Sequence, residues 1–564
     1  MKILVDGTIN IDTREELASV YKYVAENKID KIKLKIGSSE SFKIEEIKQE
    51  NVLSDYSEFY AKYSGLLDKV ESLNFFDSML DYSLIKNCRN LKSVSAPRSC
   101  LVNSFVKALN EMKHLKELES PFLSILNKKL PDTIEKIVVT AKTNKKSYAI
   151  DDESKLVAIT DDLLKNVSNL KEISLINIAQ CYHFGTSSAK IEKCSLIGNY
   201  NLTRINLPQN LGNIKELKIY GNNPDCNFDA WRVAEIIRAT FKGENKLNKF
   251  VFDIALYPRV VKILENDLKN PKFKAVFDNL VFTGEMLDHT YNELNAKQME
   301  NYDKKALAVI KGCGVRTTDT DFEAFAKLYL FVVSNLSYNH KTFEVGQRDK
   351  IGIIAKEIAG SFNSVDKYAM LGKGYNTSTT FGAFNTEFLV VCAGFSRFLS
   401  YLLNKVGIDS QVFSVFAGNI DSVNDSKQKA WDKKNTNHMV LRVDFETGSL
   451  MVDPTADAKK MAKNKSLHKF SFATGDFDEK YDDFLKGKFY RQEKQKLCDD
   501  AVIELLAVLI QEKANMLNGN AYKMPLEIKY STKLGNCNLP DGFENEYDYI
   551  SLDKKSYFER DKDI

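Results

Sequence analysis

Apolar and polar residues alternate in short runs through the first half of the chain, and one phrase recurs. A polar residue, a Leu or Ile, a charged residue and an apolar alternation appear in Asn90-Leu91-Lys92-Ser93-Val94, His114-Leu115-Lys116-Glu117-Leu118, Thr133-Ile134-Glu135-Lys136-Ile137, Asn169-Leu170-Lys171-Glu172-Ile173, Asn201-Leu202-Thr203-Arg204-Ile205 and Asn213-Ile214-Lys215-Glu216-Leu217. Period-two alternation predicts strands with one buried face. A single such strand has nothing to bury that face against, whereas stacked copies share a core, which is the logic of a solenoid. The leading residues Leu91, Leu115, Ile134 and Leu170 are 24, 19 and 36 residues apart, so the period is uneven. A meandering sheet with helical crossovers would alternate in the same way. From Trp231 to about Phe282 the spacing turns helical (Val233, Ile236, Ile237, then Val260, Val261, Ile263, Leu264) around a strand-like Phe250-Val251-Phe252, which predicts a closing unit. Between Leu294 and Tyr302 only Ala296 and Met299 are apolar, and the main boundary is expected near residue 300.

Beyond it, Phe322 to Tyr338 predicts a helix ending in a polar turn, followed by a Gly- and Thr-rich loop from Leu371 to Gly382. Gly372-Lys373-Gly374 in that loop is not a phosphate loop, because Lys367 stands where the first glycine belongs and Gly374 where Ser or Thr belongs. After Cys392, apolar residues at Phe395, Phe398, Leu399, Leu402, Leu403 and Val406 predict an amphipathic helix, with Gly407 as its left-handed C-cap and Ile408 folding back over the last turn. Strands follow at Gln411–Phe416, His438–Phe445 and Leu450–Thr455, the last closed by Pro454, which has no amide proton. A long helix from Gln492 to Leu517 and a polar tail complete the chain.

At 564 residues the chain exceeds one core, and roughly three to four domain-sized units are expected. The expected division is an α/β cap at 1–80, a repeat region with its closing unit at 81–300, a cysteine domain at 301–475 and a helical extension at 476–564. A hydrophobic content of 43% against 28% charged residues places the chain among soluble globular proteins. The formal charge of +3 comes from interspersed signs, so neither a nucleic-acid track nor a membrane surface is implied. The first residues lack a signal-peptide core and no stretch approaches the ~18 apolar residues of a membrane helix, so a cytoplasmic protein is expected. Nine scattered cysteines, an odd number with no close pairs, indicate neither a disulfide framework nor a zinc site.

Candidate chemistry gathers at Cys392. A thiol at a helix N-terminus is favoured as the thiolate by the unpaired backbone amides. A cysteine nucleophile needs a base, and the imidazole needs an acceptor that fixes its tautomer. His438 opens one strand and Asp453 closes the next, so an antiparallel hairpin brings them to the same end. If paired residue numbers sum to 891, they are direct neighbours with Cβ atoms ~5 Å apart; a register four residues different would bring Asp457 opposite His438. A lone cysteine or histidine is ordinarily structural. The joint context of helix start, strand start, strand end and Asp-Pro-Thr sets these three apart, and His340 and His468 on presumed loops lack it.

The recurrent phrase over residues 80–255 resembles the leucine-rich repeat in its irregular bacterial forms. Residues 300–475 resemble a transglutaminase-like domain of the papain-type cysteine fold: Leu330–Tyr338 resembles the family's segment ending in an Asn/Ser-Tyr pair, Cys392-Ala393-Gly394-Phe395 its Cys-x-Gly-aromatic motif, Val406-Gly407-Ile408 its helix exit, and Asn437-His438 with Val452-Asp453-Pro454-Thr455 its His and Asp motifs. The chain departs from the family at Val390 and Val391, where glycine is common, and at Val440, where an aromatic is common. The resemblance implies an α+β multidomain protein with a repeat solenoid before a papain-like domain whose Cys helix packs on an antiparallel sheet. It implies Cys392 as nucleophile, His438 as general base and acid and Asp453 as the orienting carboxylate, with no cofactor or metal. The backbone amide of Cys392 and the side chain of Asn385 are the candidate oxyanion donors. The implied reaction is acyl transfer on a protein substrate selected by the repeats: crosslinking, deamidation or hydrolysis. A cysteine protease, and an interaction module with an inactive cysteine domain, are the alternatives. The combination is similar to bacterial proteins, some of which act inside host cells.

Overall fold

Alternation becomes strand across the first half. The computed structural model describes residues 1–36 (except 5), 57–75, 82–95, 102–140 (except 122), 157–338 apart from 179, 188–189, 200, 224–225 and 288–289, then 377–415 (except 386–387), 438–458 (except 446–447) and 472–474. The described residues form a mixed α and β protein that divides into two units, Met1–Ala296 and Lys297–Ile564.

In the first unit thirteen strands make one sheet whose order follows the chain from Lys2–Ile3 to Thr290–Asn295. Only the first and last pairs are antiparallel. Three strands that fall between its members, Val157–Ile159, Cys181–Gly185 and Arg204–Asn206, form a second parallel sheet, and the insertion of the first of them explains the long interval before Leu170. The pairing brings like positions of the strands of the larger sheet side by side. Leu73, Val94, Leu118, Ile137, Ile173, Cys194, Leu217 and Phe250 form one unbroken row, all essentially without exposure. On the opposite face Glu117, Lys136, Glu172, Lys193, Glu216 and Lys249 form a row of alternating sign. Lys136 lies 3.2 Å and Lys193 3.8 Å from Glu172. Each such exposed pair contributes little stability, and a shifted register would set like charges opposite one another.

At the strand exits a side-chain ladder joins successive phrases. Fully buried Asn199 donates to the Leu175 carbonyl at 2.9 Å and accepts from the Ile178 amide at 2.8 Å. Asn222 repeats the gesture, donating to the Leu196 carbonyl at 2.8 Å and accepting from the Asn199 amide at 3.0 Å. The residues just before them, Gly198 and Gly221, have φ of +68° and +64°, a left-handed turn that favours glycine.

One boundary differs from expectation. The sheet runs unbroken across residue 80, so no separate cap ends there. The two units divide between Ala296 and Lys297, near the residue 300 expected from the sequence, and the polar stretch there holds the strand Thr290–Asn295 and the helix Ala296–Gly312. Its two apolar residues, Ala296 and Met299, are both buried, and a helix needs only such a stripe to pack.

The second unit joins helices to a four-stranded antiparallel sheet ordered Asp409–Val415, His438–Phe445, Gly448–Val452, Phe472–Thr474. The helix Asp321–Asn335 starts with a capping box between Thr320 and Glu323 and packs against the helix Cys392–Val406, which lies on the sheet. The helix expected to reach Tyr338 stops at Asn335, because Ser337-Tyr338 pairs in parallel with Leu389-Val390. The strand expected to run to Thr455 stops at Val452, and residues 454–458 are helical. Pro454 thus opens a helical turn, where its missing amide proton costs nothing. Among the described residues no helix is long and apolar enough to cross a membrane. His340, His468, the Gly372–Gly374 loop and the expected helix Gln492–Leu517 lie outside the described residues.

Candidate active site

Cys392 is the first residue of its helix, preceded by an extended N-cap, Val391. The first turn lies hard against the Thr377 carbonyl, which accepts from the Val391 amide at 3.0 Å. A Cβ on Gly394 would collide with that same oxygen and sit 2.8 Å from the Val390 Cβ. Glycine two residues after the cysteine is therefore a steric requirement of the close approach. The far end matches expectation: Gly407 has φ +97° and the Ile408 amide bonds to the Leu403 carbonyl at 3.0 Å.

His438 opens its strand opposite Val415, and Asp453 follows the last residue of the next strand. The hairpin pairs Leu441 with Val452, a register two residues from the sum of 891. His438 and Asp453 are consequently diagonal neighbours on one face rather than direct partners, a separation that side chains bridge. His438 Nε2 lies 3.0 Å from Asp453 Oδ2. The other carboxylate oxygen, Oδ1, accepts the Ala456 amide at 2.9 Å, so Asp453 caps the turn that Pro454 begins. Asp457, the alternative under a different register, is instead fully buried and accepts from the Tyr329 hydroxyl.

With Nε2 turned to Asp453, Nδ1 is the ring nitrogen left for another partner, and Cys392 is close enough to act on the charge of the imidazole. Burial works against the imidazolium, but the Asp453 charge and hydrogen bond, together with Cys392, outweigh it and raise His438 to about 10 from 6.5. Tyr338 belongs to the same electrostatic neighbourhood: burial first, then the charges of Cys392 and Asp453, hold its hydroxyl above the ordinary phenol range. Burial pushes Cys181 and Cys194 to about 12 and Cys226 to about 11, which keeps them as thiols.

Three side chains around the site were not singled out as functional by sequence reasoning. Tyr338 enters through the two-residue strand beside Leu389-Val390. Phe388, four residues before the thiol, is buried with φ +64°, a conformation unusual for a bulky residue and found where surrounding structure enforces it. Ser396 is fully buried and donates to the Met439 carbonyl at 3.1 Å; its signal was a hydroxyl on the apolar stripe four residues after Cys392. Asn385, a candidate oxyanion donor, has its amide engaged with the Tyr302 hydroxyl at 2.9 Å. Among the described residues no three His, Cys, Asp or Glu side chains gather as a metal site. A thiol, an imidazole and a carboxylate in this sequence of contacts can act as nucleophile, proton carrier and orienting group. No protein-family model matches the chain, and no curated protein matches it in a sequence search.

Proposed function

We propose that the second unit is a transglutaminase-like cysteine acyltransferase or hydrolase, and that the first is a leucine-rich-repeat-like solenoid that selects its protein substrate. The observation that carries the catalytic reading is the His438–Asp453 pair, Nε2 to Oδ2 at 3.0 Å, with Cys392 acting on the same imidazole. The raised His438 favours an imidazolium beside the thiol near neutral pH. The Cys392 thiolate attacks the carbonyl carbon of a carboxamide. The C–N bond breaks as the His438 proton passes to the departing nitrogen, leaving a thioester and free ammonia or amine. A lysine amine or water then attacks the thioester, His438 takes its proton, and the thiolate is regenerated. The Cys392 amide at the helix N-terminus is the donor best positioned by sequence for the oxyanion. The repeat reading is supported by the in-register parallel sheet and by the Asn199 and Asn222 ladder.

The test is site-resolved alkylation of the folded chain by iodoacetamide across pH, in wild type and His438→Ala. Rapid modification of Cys392 below pH 8 that slows without the histidine is expected. Modification no faster than that of a free thiol in wild type would remove the catalytic reading. Mass analysis of glutamine-containing protein substrates then separates the reactions: +1 Da for deamidation, a joined product for crosslinking, fragments for proteolysis.

A further inference from the structure

We propose that Ser396 is a positioning residue for His438, holding the histidine end of its strand against the Cys392 helix; this rests on the catalytic reading above. Cys392 and Ser396 are four residues apart on one helix and therefore share a face. That face meets the start of the histidine strand: the Ser396 hydroxyl bonds to the Met439 carbonyl at 3.1 Å, one residue from His438, whose charge Cys392 helps to hold.

The strand needs such a tether at this end. Its pairing with Gly448–Val452 ends at Leu441, so among the described strands only Asp409–Val415 pairs with residues 438–440. Ser396 is fully buried, where an unbonded hydroxyl is costly and an alanine would fill nearly the same volume. A helical serine commonly bonds back to its own helix; this one bonds across to the neighbouring strand. The Asp453 carboxylate orients the ring and Ser396 fixes the backbone that carries it. Small displacements of reacting groups cost rate steeply.

The experiment measures Cys392 alkylation by iodoacetamide from pH 5 to 11 on the full chain, with thermal unfolding measured in parallel, for wild type, Ser396→Ala, Ser396→Cys and Ser396→Thr. In Ser396→Ala the Cys392 rate at pH 6 should fall on the order of tenfold, with the pH profile shifting toward that of a free thiol, and Ser396→Thr, which keeps a hydroxyl, should restore the profile. If Ser396→Ala does not fold, Ser396→Cys, with a weaker donor in a similar volume, carries the comparison. A wild-type-shaped profile in Ser396→Ala or Ser396→Cys, with only the unfolding temperature lowered, would overturn the positioning role and leave the catalytic reading intact. A wild-type Cys392 that itself behaves as a free thiol would overturn both.

Discussion

Asp453 serves two elements with its two oxygens, one on the imidazole and one on the Ala456 amide. Asp453→Asn keeps an acceptor for the cap and loses the charge. The alkaline limit of His438-dependent turnover or alkylation, expected near pH 10 in wild type, should therefore drop by about one to three pH units, read from rate–pH profiles. The linkage to stability has a definite sign: a histidine raised from 6.5 to about 10 on folding contributes fully below pH 6.5, and the contribution disappears as pH rises through 10. Urea unfolding of wild type should lose stability relative to His438→Ala over that window, and parallel curves would contradict the assignment. Gly394→Ala should cost about 1–3 kcal/mol by overpacking against Thr377, measured in the same way. The placement of Cys392, His438 and Asp453 at element boundaries was legible because each boundary has a local signature. Tyr338 was legible only as the end of a family-like segment; its place beside the site was not, because its short strand depends on Leu389-Val390, some fifty residues later.

Among elements, the Cys392 helix was legible at both ends because its cap and left-handed Gly407 are local. The hairpin register was not. A slip of two residues leaves every side chain on the same face, so hydrophobic alternation distinguishes odd slips but not even ones. The charged row of the first unit does carry register information: Glu172→Lys would set three like charges side by side at 136, 172 and 193, and its destabilisation should shrink as salt is added. The ladder asparagine is of another order, since Asn199→Leu leaves the Leu175 carbonyl and the Ile178 amide without their partner. A loss of about 1–3 kcal/mol is expected from urea denaturation; a change within error would show that the ladder is dispensable.

At the scale of the whole molecule, the first unit is a series of near-neighbour contacts, and stability in such arrays is shared along the series. Hydrogen exchange followed by mass spectrometry should find the slowest amides in Glu172–Ile176, Lys193–Ile197 and Glu216–Tyr220, with exchange quickening toward Lys2–Ile3. Uniform exchange along the sheet would contradict that gradient. The mixed architecture and the strands were legible from alternation, whereas the second sheet was not, because Val157–Ile159, Cys181–Gly185 and Arg204–Asn206 carry the same alternation as strands of the first.

In the thirteen-stranded sheet, strand order follows chain order, so residue number serves there as a spatial coordinate. Each further strand of that sheet adds one step of ~4.8 Å. Duplicating or deleting a whole phrase, such as residues 191–213, would lengthen or shorten the surface by one step while preserving every local contact type, so this half of the protein can change its reach by counting rather than by redesign.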